Sequence, residues 1–208
     1  MNLFITFEGP DGGGRSAQAE LLGERLRAEG INFILTREPG GNGVEIAEQI
    51  RKILLTRDNQ KMVAKTEALL YFAARAQHVR ELIQPSLAQG ITVVCERFND
   101  STLAYQGYGR GLDLQLLRDI AAFVANGLVP DVTFLLDIAP EIGLARKDRH
   151  ALDRLEKEDL TFHQRVRQGY KILACGNPRF VVIDAEQSIE VIAGIVWGKV
   201  KQLLDRKE

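Results

Sequence analysis

Five short runs in this chain are apolar almost without a break: LFITFE at 3–8, INFILT at 31–36, ITVVC at 91–95, VTFLLD at 132–137 and FVVID at 180–184. Runs this short, rich in β-branched and aromatic residues, read as strands buried on both faces. Between them apolar residues recur at helical spacing over 17–28, 44–55, 64–88, 112–126, 140–147, 158–174 and 188–204. Parallel strands need crossover connections and helices supply them, so the alternation predicts a doubly wound α/β fold, a parallel sheet with helices on both faces. The 208 residues, 45% of them hydrophobic, suffice for one core of ordinary size, and the irregular stretch 56–63 is too short to divide it. One domain over 1–208 is expected.

Charge narrows the partners. Lys and Arg number 27 against 28 Asp and Glu, a net charge of -1, so no bulk positive field exists to hold a polyanion and no nucleic-acid partner is expected. A small nucleotide gripped by a few placed arginines remains open. No apolar run reaches the length of a membrane span, and Glu8 and Asp11 stand where a signal peptide needs basic residues. The expectation is a cytoplasmic protein without membrane attachment. Cys95 and Cys175 form no CxxC and lie far apart, which supports neither a disulfide framework nor a zinc site.

The sharpest local signal follows the first strand. Gly9-Pro10-Asp11-Gly12-Gly13-Gly14-Arg15-Ser16, with Ala17 opening a helix, fits the phosphate-loop pattern GxxxxGK[ST] except that Arg15 stands in the lysine position. Glycines let backbone N–H groups turn toward phosphate oxygens, the helix N-terminus adds positive potential, and the Ser16 hydroxyl can meet a magnesium ion. Two further constellations end strands: Arg37-Glu38-Pro39-Gly40-Gly41, and Glu96-Arg97-Phe98-Asn99-Asp100-Ser101 followed by Ala104-Tyr105-Gln106-Gly107. Carboxyl ends of parallel strands converge on one crevice, so all three segments are expected to face a common ligand. Taken singly, Glu96 and Arg97 read equally well as a strand-end ion pair. Residues 68–74 (ALLYFAA) pose another question, being apolar on every side of their helix. Either the core surrounds that helix or one face meets a second subunit.

Taken together, these motifs resemble bacterial thymidylate kinases over essentially the whole chain. FITFEGPDGGGRS resembles the family's phosphate loop, TREPGG at 36–41 its second-strand loop, RAQHV at 75–79 its substrate helix, and ERFNDSTLAYQGYGRGL at 96–112 its DRYxDSxxAYQGxGRGL. LDRLE at 152–156 and RVRQGY at 165–170 resemble the segment from the lid to the next helix. The resemblance implies a P-loop nucleoside monophosphate kinase fold with a five-stranded parallel sheet and a small lid near 146–157, a homodimer, and transfer of the γ-phosphate of ATP to dTMP. Gly9 to Ala17 would bind ATP, with magnesium on Ser16 and Glu96. Arg37, Arg75 and Arg97 would surround the dTMP phosphate, with Glu38 and Pro39 beside them. Asp11 would approach the 3′-hydroxyl, Tyr71 would stack on thymine, Ser101 and Gln106 would meet the base edge, and Tyr105 would lie where a 2′-hydroxyl clashes.

Three positions depart from the family pattern: Arg15 for lysine, Ala17 for threonine and Glu96 for aspartate. They cluster at the transfer centre, which raises an alternative, a nucleotide-binding protein of this fold with weakened or lost activity. None of the loop's variable residues, Pro10 to Gly13, is basic, so the resemblance calls for a lid arginine on the transferring phosphate. Arg149 is the first choice, with Arg146 and Arg154 as alternatives; Arg15, Glu96, Arg97 and Arg149 make up the expected catalytic set.

Overall fold

A computed structural model of the chain describes residues 2–148 and 152–205. In chain order the elements are β1 (Phe4–Glu8), α1 (Arg15–Ala28), β2 (Phe33–Arg37), α2 (Glu45–Leu55), α3 (Ala64–His78), α4 (Gln84–Ala88), β3 (Thr92–Glu96), α5 (Asn99–Thr102), α6 (Leu114–Val124), β4 (Val132–Asp137), α7 (Pro140–Ala145), α8 (Leu160–Ala174), β5 (Phe180–Asp184) and α9 (Ile189–Asp205). The five strands form one parallel sheet in the order β2-β3-β1-β4-β5. All five expected strands are present within two residues of their predicted ends, and the α/β class holds.

β1 is central, and its two faces follow from its alternation. Leu3, Ile5 and Phe7 pack with Leu22 and Leu26 of α1 and Val196 and Val200 of α9. Phe4 turns the other way, against Val93, Cys95, Phe98 and Ile83. Thr6 and Glu8 share the Phe4 parity, so the sheet forces a carboxylate into the interior at the strand's end; Glu8 is fully buried.

The helix expected over 64–88 is broken into three. α3 runs on into a π-helical stretch, Val79–Ile83, before α4 begins. Pro85 explains the widening, since it has no N–H to donate and its ring crowds the preceding turn. The core also does not surround α3. Ala68 and Phe72 pack against Leu103, Leu117 and Ala121, whereas Leu69 is 58% exposed. Between β3 and α6, where the sequence pattern assigned no element, the chain folds into α5 and a π-helical stretch, Leu103–Gly109.

The phosphate loop is fixed from below by α7. A Cβ on Gly12 would lie 2.0 Å from the Gly143 carbonyl oxygen, and one on Gly143 would lie 2.1 Å from that of Asp11. Only two glycines permit this backbone-on-backbone contact between the loop and α7. Gly143→Ala is therefore expected to push the loop aside, costing about 2 kcal/mol of stability by overpacking; chemical denaturation would measure it.

Candidate active site

Three segments meet at the carboxyl edge of the sheet, as their strand-end positions require. Asp11, Arg15 and Ser16 from the loop after β1, Arg37, Glu38 and Pro39 at the end of β2, and Glu96 and Arg97 at the end of β3 all line one cavity. Tyr71 of α3, Ser101 and Thr102 of α5, and Tyr105 and Gln106 beyond it line the same space. Gly14, in the left-handed region, caps the start of α1, which puts the loop's backbone at a helix N-terminus.

Asp11 ties the centre together. Its Oδ1 accepts from Arg97 Nη2 (2.6 Å) and Arg15 Nη2 (3.1 Å), and its Oδ2 accepts from the Tyr105 hydroxyl (2.7 Å). Burial alone would raise this carboxyl, but the Arg97 and Arg15 guanidiniums outweigh it and hold the group well below the usual carboxylate range. Arg15 also donates through Nη1 to the carbonyls of Gly9 (2.5 Å) and Pro10 (2.6 Å), so its charge stays inside the phosphate loop. Arg97 has φ 67, a left-handed backbone uncommon for a side chain of this size. The turn is held by Arg97 N donating to Phe7 O (2.9 Å) and Phe98 N donating to Glu8 Oε1 (2.7 Å), and it aims the guanidinium across the cleft.

The fit to a divalent cation rests on Ser16 and Glu96. The Ser16 hydroxyl donates to Glu96 Oε2 at 2.7 Å, so a hydroxyl and a carboxylate oxygen stand side by side at the mouth of the phosphate loop. That is the hard-oxygen pairing a magnesium ion takes beside nucleotide phosphates.

Two of the expected site residues lie behind the cavity wall. Arg75 is not among the cavity's lining residues; buried to 1% exposure, it donates to Glu38 Oε2 (2.6 Å), Thr102 Oγ1 (2.9 Å) and Phe98 O (3.0 Å). A guanidinium so held ties the end of β2, α3 and α5 together at the wall of the cavity. Arg154, an alternative for the lid role, is likewise buried: Nη1 meets Glu67 Oε2 at 2.6 Å and Nε donates to Leu54 O. Arg146 bonds the Gly12 and Ala185 carbonyls, tying α7 to the loop. Arg149 lies outside the described residues.

A family model described as thymidylate kinase matches residues 7–194. The chain belongs to the thymidylate kinase family. Curated thymidylate kinases resemble it nearly end to end: one from Halothermothrix orenii is 50% identical, covering 97% of this chain and 98% of its own. One from Solidesulfovibrio magneticus is 48% identical over 97% of this chain and 100% of its own, and one from Exiguobacterium is 49% identical over 91% and 90%. The matched span includes both sides of the cleft described above.

This thymidylate kinase family member also uses residues that the sequence left unmarked. Arg51 of α2 lines the cavity and donates to Pro39 O (2.6 Å); burial, then the neighbouring Arg37, lower its pKa. Lys147, just beyond α7, lines it as well, paired with Glu156. Tyr170 of α8 shares its hydroxyl with Ser101 Oγ (2.8 Å) and receives Arg97 Nη1 (3.1 Å). Arg51 and Lys147 gave no signal beyond a polar helix face and a basic run. Tyr170 stood inside RVRQGY, whose spacing does not say which strand end it reaches.

Glu8 supports all of this from beneath. It accepts from Phe98 N, Ser101 N, Ser101 Oγ and Tyr170 Oη, while burial and the nearby negative Asp100 push its carboxyl up to about 7. The folded protein thus binds this proton more tightly than the unfolded chain, whose value is near 4.5. The stability it contributes is complete below about pH 4.5 and is lost as pH rises through about 7. Glu8→Gln, neutral and nearly isosteric, removes that dependence. Urea unfolding at pH 5 to 8 should show the wild type losing stability relative to the variant, whereas parallel profiles would mean that Glu8 titrates alike in both states.

Proposed function

We propose that the protein transfers the γ-phosphate of ATP to dTMP, giving dTDP. What carries this reading is that one cavity is lined by the phosphate loop on one side and by Arg37, Tyr71, Tyr105 and Gln106 on the other, with Asp11, Arg15 and Arg97 joined between them. Two phosphorylated ligands meeting at that junction would place donor and acceptor head to head.

A phosphate oxygen of dTMP, already anionic at neutral pH, attacks the γ-phosphorus; the bond to the bridging β–γ oxygen breaks and ADP leaves. No strong general base is required, so positioning and charge stabilisation supply the rate. Arg15 and Arg97 exchange their hold on Asp11 for phosphate oxygens, and Arg37 and Arg51 add charge on the acceptor side. Tyr71 offers its ring to the base. Tyr105, fixed to Asp11, occupies space beside the sugar and favours deoxyribose. Ser16 and Glu96 would hold magnesium, which when bound neutralises phosphate charge. Nucleotide substrates of this kind suit the cytoplasm, and no helix among the described residues is long and apolar enough to cross a membrane.

The lid role goes to Arg149, supported by its place among Arg146, Lys147 and Arg154 and by the commitment of Arg146 and Arg154 to other partners. In a coupled ADP-release assay, Arg149→Ala should lower kcat about 100-fold with little change in dTMP affinity, since the contact develops in the transition state. An unchanged kcat would remove Arg149 from the catalytic set.

The chain is further proposed to be a homodimer through α3 and α6. These helices pack on each other, yet Leu69 (58%), Leu116 (58%) and Phe123 (84%) are exposed, a large apolar area for a lone subunit. Light scattering at micromolar concentration should give twice the chain mass for the wild type and a monomer for Leu69→Glu combined with Phe123→Glu.

A further inference from the structure

Glu67 lies on α3 four residues ahead of Tyr71 and eight ahead of Arg75, fully buried yet not among the cavity's lining residues. Its carboxylate accepts from Gln106 Nε2 (2.9 Å), Arg154 Nη1 (2.6 Å), and Nε (3.2 Å) and Nη2 (3.1 Å) of Arg110. Burial alone would raise its pKa, but Arg110 and the Gln106 amide, with Arg154, overcome that and lower it. The group is an anion, able only to accept.

An acceptor of this kind dictates how Gln106 must stand. Its NH2 end faces Glu67, so the carbonyl Oε1 is left for the cavity that Gln106 lines. The same reasoning applies to Thr102, another lining residue. Arg75 Nη1 donates to its Oγ1, and a guanidinium cannot accept, so the threonine's own hydrogen is free to be donated elsewhere. The cavity wall therefore offers one fixed acceptor, set by the buried Glu67, and beside it a hydroxyl with a hydrogen to give.

We propose that Glu67 is a specificity-positioning residue: by fixing Gln106 as an acceptor beside the Thr102 donor, it makes the site select pyrimidines with an N3–H next to a 4-keto oxygen. A 4-amino pyrimidine presents the reverse pattern, a bare N3 and an exocyclic NH2, and sets its N3 lone pair against the Gln106 carbonyl, acceptor facing acceptor. The inference deepens the proposal of dTMP as acceptor substrate and rests on it.

The test compares dTMP, dUMP and dCMP in wild type, Glu67→Gln and Gln106→Leu, with dissociation constants from calorimetry and kcat/KM from ADP release. A glutamine at 67 can give its own NH2 to Gln106 and let that amide turn over. The preference for dTMP over dCMP should then fall by about tenfold or more, in binding and in kcat/KM, the scale of a mispaired buried polar group. The ratio of dTMP to dUMP, which share N3–H and the 4-keto oxygen, should stay within about twofold. A merely structural role would weaken all three nucleotides alike, and that result overturns the proposal. Gln106→Leu leaves Glu67 with both arginines and must lose the same preference; a variant that keeps it overturns the proposal even where Glu67→Gln does not fold. A wild type that fails to favour dTMP over dCMP fells the dTMP reading itself, and does so before any substitution is made.

Discussion

A single buried carboxylate connects the three parts of the chain that must agree before the cleft can exist. Glu8 ends the central strand, receives the backbone of the segment after β3 through Phe98 and Ser101, and receives α8 through the Tyr170 hydroxyl. Its position is not a matter of side-chain choice alone. β1 alternates, the Phe4 face is interior, and the residue closing that face must find polar partners or pay for burial. The partners it finds are the residues that turn Arg97 into the cleft, so sheet geometry and substrate-facing geometry are one arrangement.

Electrostatics in the cleft follow from how its arginines are paired. Arg15, Arg37, Arg51 and Arg97 line a single cavity whose described walls also carry acidic groups, Asp11 foremost. Asp11 bridges Arg15 and Arg97, and those two guanidiniums hold its carboxyl well below the usual carboxylate range against the effect of burial. On the proposed reading, phosphate oxygens would take the place of this carboxylate between the two arginines.

The strands, the phosphate loop and the convergence of three strand ends were legible in the sequence because each rests on local pattern: apolar runs, glycine spacing and the polarity of a parallel sheet. What escaped depends on contacts across long separations. Arg75 sits in a motif that resembles a phosphate-binding one, and nothing local says that Glu38, Phe98 and Thr102 would absorb its donors. Glu67 is the one acidic residue of α3, and its meaning comes from Arg110, 43 positions further along the chain, and from Arg154. The left-handed Arg97 has no sequence signature, since its conformation is held by groups on β1. Pro85, by contrast, was visible, and weighing it would have split the long helix.

The contact between Gly12 and Gly143 joins the phosphate loop and α7 into one rigid unit. Two backbones that touch with no side chain between them cannot slide without breaking the loop's shape, and Arg146 adds a strap from the end of α7 to the Gly12 and Ala185 carbonyls. Beyond α7, Arg154 enters the wall of α3 and pairs there with Glu67, so the chain is fastened again on the opposite side of the cleft. The phosphate loop thus keeps its shape through backbone contact with α7, and any shift of one must be shared by the other.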